Sequence, residues 1–139
     1  PYTTLFRSLR RQTLVLVTDQ FQCERMIKAG RAIAGITHTQ LRVFHISAEG
    51  RTSDPAALQY LYNSAKENGS VLEIAYNSDF MGAITETLES TNTVNVITGQ
   101  PGDEDSVLYT LWNRFPGIKF FTADADGRLD MESTVRVAE

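Results

Sequence analysis

"LVLVTDQFQCERMI", residues 14–27, changes its hydrophobic period once, and that change points to the fold. Residues 14–17 are an unbroken apolar run rich in β-branched side chains, the pattern of a strand covered on both faces. From Cys23 the spacing becomes helical. Met26, Ala29, Ile33 and Ile36 share one face, while Glu24, Lys28 and Arg31 point elsewhere. A buried strand, a short polar turn and an amphipathic helix together make the opening of a strand–helix–strand unit.

The alternation continues outward from this stretch. Residues 41–46 read as a second strand, and Asp54-Pro55 then sets an N-cap and a first helical residue. Leu58, Leu61, Tyr62 and Ala65 form the stripe of that second helix, which ends at Gly69. Residues 71–76 make a third strand. Asp79 caps a helix carrying Met81, Ile84 and Leu88 on one side, and residues 94–98 make a fourth strand. After the loop "GQPGDED", residues 99–105, comes a helix marked by Leu108, Leu111, Trp112 and Phe115 and stopped by Pro116-Gly117. Residues 118–122 are the fifth strand. Strands alternating with helices through short loops predict an α/β fold, a single-domain open parallel five-stranded sheet with helices on both faces.

The two ends read differently. Eight codons from the end of a common sequencing adapter encode Pro1 to Ser8 in order, so residues 1–8 are read as a non-native adapter translation and left out of the fold. Residues 9–126 are the domain, and residues 127–139 are a C-terminal hairpin around Asp126-Gly127 or a tail.

Composition narrows the function. The chain has 139 residues, 42% hydrophobic and 22% charged, with a net charge of −4. That balance argues against a nucleic-acid partner, which calls for a basic surplus on one face. No apolar run approaches the ~20 residues of a bilayer span, so no membrane partner is expected. A single cysteine, Cys23, excludes an internal disulfide and suits a cytoplasmic setting.

The order of elements, the "LVLVTDQFQCERMI" start and the Gly99-x-x-Gly102 loop after the fourth strand resemble the universal stress protein superfamily. The resemblance covers residues 13–124, and is closest to the branch whose first strand ends in Val-Thr before a Cys-Glu-Arg helix start. It implies a sheet of order 3-2-1-4-5 of the Rossmann-like, adenine nucleotide alpha hydrolase-like kind, a cytoplasmic homodimer and, in some members, adenine-nucleotide binding. In nucleotide-binding members an acid ends the first strand and a Gly-x-x-Gly…Gly-Ser/Thr loop cradles the phosphates. Here Thr18 stands at the position of the acid and Asp19 follows it. Gly99 and Gly102 match the first half of the loop, and the second half is missing: Trp112-Asn113 stand where Gly-Ser would fall. The nucleotide-site candidates are therefore Thr18, Asp19, Gly99 and Gly102.

Electrostatics weaken a phosphate site further. A helix N-terminus attracts anions through its free N–H groups and dipole. Asp103, Glu104 and Asp105 already occupy that place and would repel a phosphate chain. Binding of ATP or AMP is expected to be weak. Cys23 at a helix start beside Arg25 fits a redox-sensitive thiol or, more simply, a small residue that packs there. His45, within a strand, is expected to be packed or locally bonded, and His38 to lie in a turn. "DADG", residues 124–127, lacks the first and last acids of a calcium loop. No placed acid–base or metal set marks a catalytic centre.

These readings lead to a non-enzymatic sensing or scaffolding module with a reduced adenine-nucleotide site and an unidentified signalling partner. The alternatives are a phosphorylation-receiver-like domain and an enzyme acting on an adenylate. A receiver needs a lysine ending the fifth strand, whereas Lys119 begins it. The fifth strand is expected at the sheet edge, with Lys119, Phe121 and Ala123 forming the homodimer interface.

Overall fold

The computed structural model describes residues 10–18, 20–47, 53–76, 79–99, 107–124 and 126–131. Strand β1 (Arg11–Leu16) leads through a 3-10 turn (Phe21–Cys23) into helix α1 (Glu24–Thr37), then β2 (Gln40–Ser47) and α2 (Pro55–Glu67). Strand β3 (Leu72–Tyr76), α3 (Phe80–Ser90), β4 (Asn92–Gly99), α4 (Val107–Arg114), β5 (Lys119–Ala123) and β6 (Leu129–Met131) follow. The sheet order is β3-β2-β1-β4-β5-β6. Strands β1 to β5 are parallel, and β6 runs antiparallel to β5.

Alternate residues of β1, β2, β4 and β5 feed two separate cores. Val15 of β1, Val17 just beyond its end, Val43 of β2 and Ile97 of β4 pack with Met26, Ile27 and Ala34 of α1 and Leu61 and Ala65 of α2. On the other face Leu14, Val96 and Phe120 pack with Ile84 and Leu88 of α3 and Leu111 and Trp112 of α4. Leu14 and Val15 are both fully buried, which is why the opening run shows no polar alternation. The helices thus divide in pairs between the faces. Asp54 caps α2 as its sequence position requires, its Oδ1 accepting from the Ala56 and Ala57 amides at 3.0 and 3.4 Å.

Three expectations need correction. First, the sheet has six strands, not five. Gly127, at φ 84°, and the Asp124 carboxylate turn the chain back, with Asp124 Oδ1 accepting from the Asp126 and Arg128 amides at 2.9 Å each. Leu129, Asp130 and Met131 then pair with Ala123, Thr122 and Phe121. Strand β5 is therefore not the sheet edge over Phe121–Ala123, so these residues do not offer a free edge to a second copy.

Second, α1 buries Met26, Ile27, Gly30 and Ala34, and Ile36 is 74% exposed. The reason is close approach to the sheet. A Cβ on Gly30 would overlap Val15 Cγ2 and stand 3.1 Å from Leu41 Cδ1, so the helix seats its smallest residue on β1 and turns Ile36 outward. Third, α2 turns Ala57 and Ser64 inward beside Leu61 and Ala65, and leaves Tyr62 39% exposed.

Candidate functional site

Helices α1 and α2 lie on one face and α3 and α4 on the other, so the chain reverses its direction across the sheet between β1 and β4. In an open parallel sheet the crevice for a ligand opens beyond the C-terminal ends of two such strands. A cleft of about 350 Å³ lies there, near the lower limit of about 300 Å³ for small-molecule pockets. Leu16, Met26 and Ala123 supply its apolar lining, and Thr18, Gln20, Gln22, Cys23, Gly99 and Asp124 its polar and backbone lining.

Each wall is set by a local feature. On the β1 side, Thr18 Oγ1 and Cys23 Sγ lie 3.5 Å apart, a weak hydrogen bond that ties the strand end to the helix start. The Cys23 amide donates to Gln20 O at 3.0 Å and Gln22 Nε2 donates to Gln20 Oε1 at 2.7 Å, fixing the turn between them. On the β4 side, a Cβ placed on Gly99 would meet nothing within 4 Å. Nothing described around Gly99 requires a glycine, and its backbone stands open to the cleft. On the β5 side Asp124 is held by its own turn. Its carboxyl lies below the usual value of 3.8, chiefly through the hydrogen bond from the Arg128 amide and further through that from Asp126. The turn rests on the start of α1, where Gly127 faces Arg25 and Arg25 Nη1 lies 3.4 Å from Asp126 Oδ1.

Of the four residues singled out from sequence for a nucleotide, Thr18 and Gly99 line this cleft together. Asp19 and Gly102 lie outside the described residues, as do residues 1–8, Asp103, Glu104 and Asp105. Gln20 belongs to the loop after the first strand, where a ligand is expected in such a sheet, whereas Gln22, Met26, Ala123 and Asp124 were not anticipated as lining. Asp124 had a legible signal, since it directly follows the fifth strand on the ligand side of the sheet. Among the described lining residues there is no lysine or arginine, and Asp124 is the charged one. Such a surface can hydrogen-bond a small polar molecule through carboxamides, a hydroxyl and backbone, but offers no described cation to a phosphate chain.

The remaining candidates resolve structurally. Cys23 is 5% exposed, which restricts access of oxidants to its sulfur. His45 is buried, and because a carbonyl only accepts, its Nδ1–H donates to Val17 O at 2.9 Å. His38 ends α1 in the left-handed region at φ 55°. Asp79 Oδ1 accepts from the Gly82 amide at 3.0 Å, capping α3. Among the described residues no group of three or more His, Cys, Asp or Glu side chains is placed to hold a metal ion. No helix among them is long and apolar enough to cross a membrane. Comparison of the chain with models of known protein families finds no match, and none is found among curated proteins.

Proposed function

We propose that this chain is a sensing or scaffolding module of the universal stress protein type, cytoplasmic and without catalytic activity, whose adenine-nucleotide site is reduced. The observation that carries the reading is the cleft at the β1–β4 reversal, bringing together Thr18 and Gly99 with Asp124 and no described cation. The order β3-β2-β1-β4-β5 supports this reading over a phosphorylation receiver, whose parallel sheet runs 2-1-3-4-5. In a reduced site of this kind, contacts to a base and sugar survive while the phosphates find little support. ATP or AMP then binds weakly, and an unidentified protein partner reads the state of the module. A homodimer joined through Lys119, Phe121 and Ala123 would require β6 to leave Phe121–Ala123 first.

Thermal-shift titration with adenosine, AMP and ATP, with and without magnesium, tests this reading. A ligand at a hundred times its dissociation constant stabilises by about 2.7 kcal/mol. Adenosine and AMP are expected to match or exceed ATP, with millimolar ligand needed for a measurable shift. Gly99→Val should abolish that shift without lowering the melting temperature of the free protein. Submicromolar ATP binding, or ligand shifts unchanged by Gly99→Val, would overturn the proposal.

A further inference from the structure

The two edges of the sheet differ in kind. Strand β6 is three residues long and carries the exposed Asp130, both of which discourage further pairing. Strand β3 is five residues long, pairs with β2 without a register shift, and has no other partner among the described residues. It contains no lysine, proline or bulge. Ile74 is 41% and Tyr76 67% exposed, on the face that also carries the buried Leu72. The charge of the strand, Glu73, is already neutralised: Arg42 Nε and Nη2 donate to its two oxygens at 2.9 and 2.8 Å.

We infer that β3 is the interface for a second copy of this chain, paired antiparallel about a two-fold axis at Ile74. Strand length and charge select that register. Centred on Ile74, all five residues find partners, Leu72 opposite Tyr76 of the second copy on both sides of the axis and Ile74 opposite its own counterpart. In this register each exposed Tyr76 lies diagonal to the exposed Ile74 of the second copy, an aromatic–β-branched neighbour pair that stabilises joined strands. Glu73 falls opposite Ala75 of the second copy, whereas centring on Glu73 would set two carboxylates face to face. The contact is isologous, so it uses up the β3 edge of both copies. The short acidic β6 edges at the two ends of the joined sheet then stop growth at two chains.

Light scattering coupled to size exclusion over a range of concentrations reads the outcome. The intact chain is expected at twice the mass of one chain at micromolar concentration. Ile74→Lys and Ile74→Glu, each placing like charges across the axis, should run as monomers alone. Mixed in equal amounts they should recover the dimer mass, which also shows that both variants are folded. A monomeric intact chain at hundreds of micromolar overturns the inference, as does a dimer insensitive to Ile74→Lys or a charge-complementary mixture that stays monomeric.

Discussion

Asn95 Nδ2 lies 3.0 Å from Thr13 Oγ1, a bond between residues directly opposite one another on β4 and β1. The same nitrogen donates to Thr37 Oγ1 at 3.1 Å, and Thr37 Oγ1 donates to Ile33 O at 2.7 Å. Thr39 Oγ1 completes the group, 2.5 Å from Thr13 Oγ1. The two central strands are thereby tied to the end of α1 by side chains, at the end of the sheet opposite the cleft. Asn95 is 2% exposed, so its amide depends on these partners. Asn95→Ala should cost about 2 kcal/mol through lost hydrogen bonds and unpaired hydroxyls. Urea unfolding measures it, and a loss under about 0.5 kcal/mol would show the hydroxyls repartner freely.

The two glycines inside α1 should respond in opposite directions. Gly30→Ala inserts a methyl against Val15 and Leu41 and is expected to destabilise by about 1–3 kcal/mol. Gly35 is exposed with open space around its Cβ position, so Gly35→Ala should stabilise by roughly 0.5–1 kcal/mol through helix propensity. Paired thermal melts check the sign of each. Equal effects would mean that α1 stands further from β1 than Gly30 implies.

Acid should loosen the β5–β6 turn. The folded Asp124 carboxyl lies below its ordinary value of 3.8, so the ionised form contributes stability above that value. The contribution is lost as pH falls from about 4 through the lower folded value. The Arg128 amide proton, donated to Asp124 Oδ1, reports this directly by NMR. Its shift should titrate below 3.8, and Asp124→Asn should abolish the titration while keeping an acceptor. A midpoint above 3.8 would contradict the hydrogen-bonding account.

Removing the cap of α2 should be costly on its own. Asp54→Ala leaves the Ala56 and Ala57 amides without their carboxylate acceptor and is expected to cost about 1 kcal/mol. Asp54→Asn, which retains an oxygen, should recover most of it in the same denaturation assay.

Elements buried on both faces were the most legible. Residues 14–17 could hardly be anything but a central strand, and β1 lies in the middle of the sheet. Helix faces were less so, because apolar spacing finds the hydrophobic stripe and not the contact stripe. In α1 these differ: packing density against Val15 selects Gly30, which no hydrophobicity pattern reveals. Strand β6 was hard to count for a related reason. Leu129, Asp130 and Met131 have no strong period, and their pairing depends on the turn made by Asp124 and Gly127. The cleft was half visible. Thr18, Gln20 and Gly99 follow from strand ends, but Gln22 and Met26 enter through the geometry of the 3-10 turn and α1.

The central position of the first strand also sets a timetable for synthesis. β1 is made early but needs β4, and the bond from Asn95 to Thr13 spans 82 residues. Until β4 leaves the ribosome, β1, β2 and β3 can assemble with α1 and α2 on one face, while α3 on the other still lacks β4, the strand it contacts most. Leu14 and the open side of β1 then face solvent or a chaperone. Because such long-range pairing slows folding, the half-built sheet is expected to be prone to aggregation during translation. Codon choice between β3 and β4 should therefore affect the yield of soluble protein more than codon choice after β5.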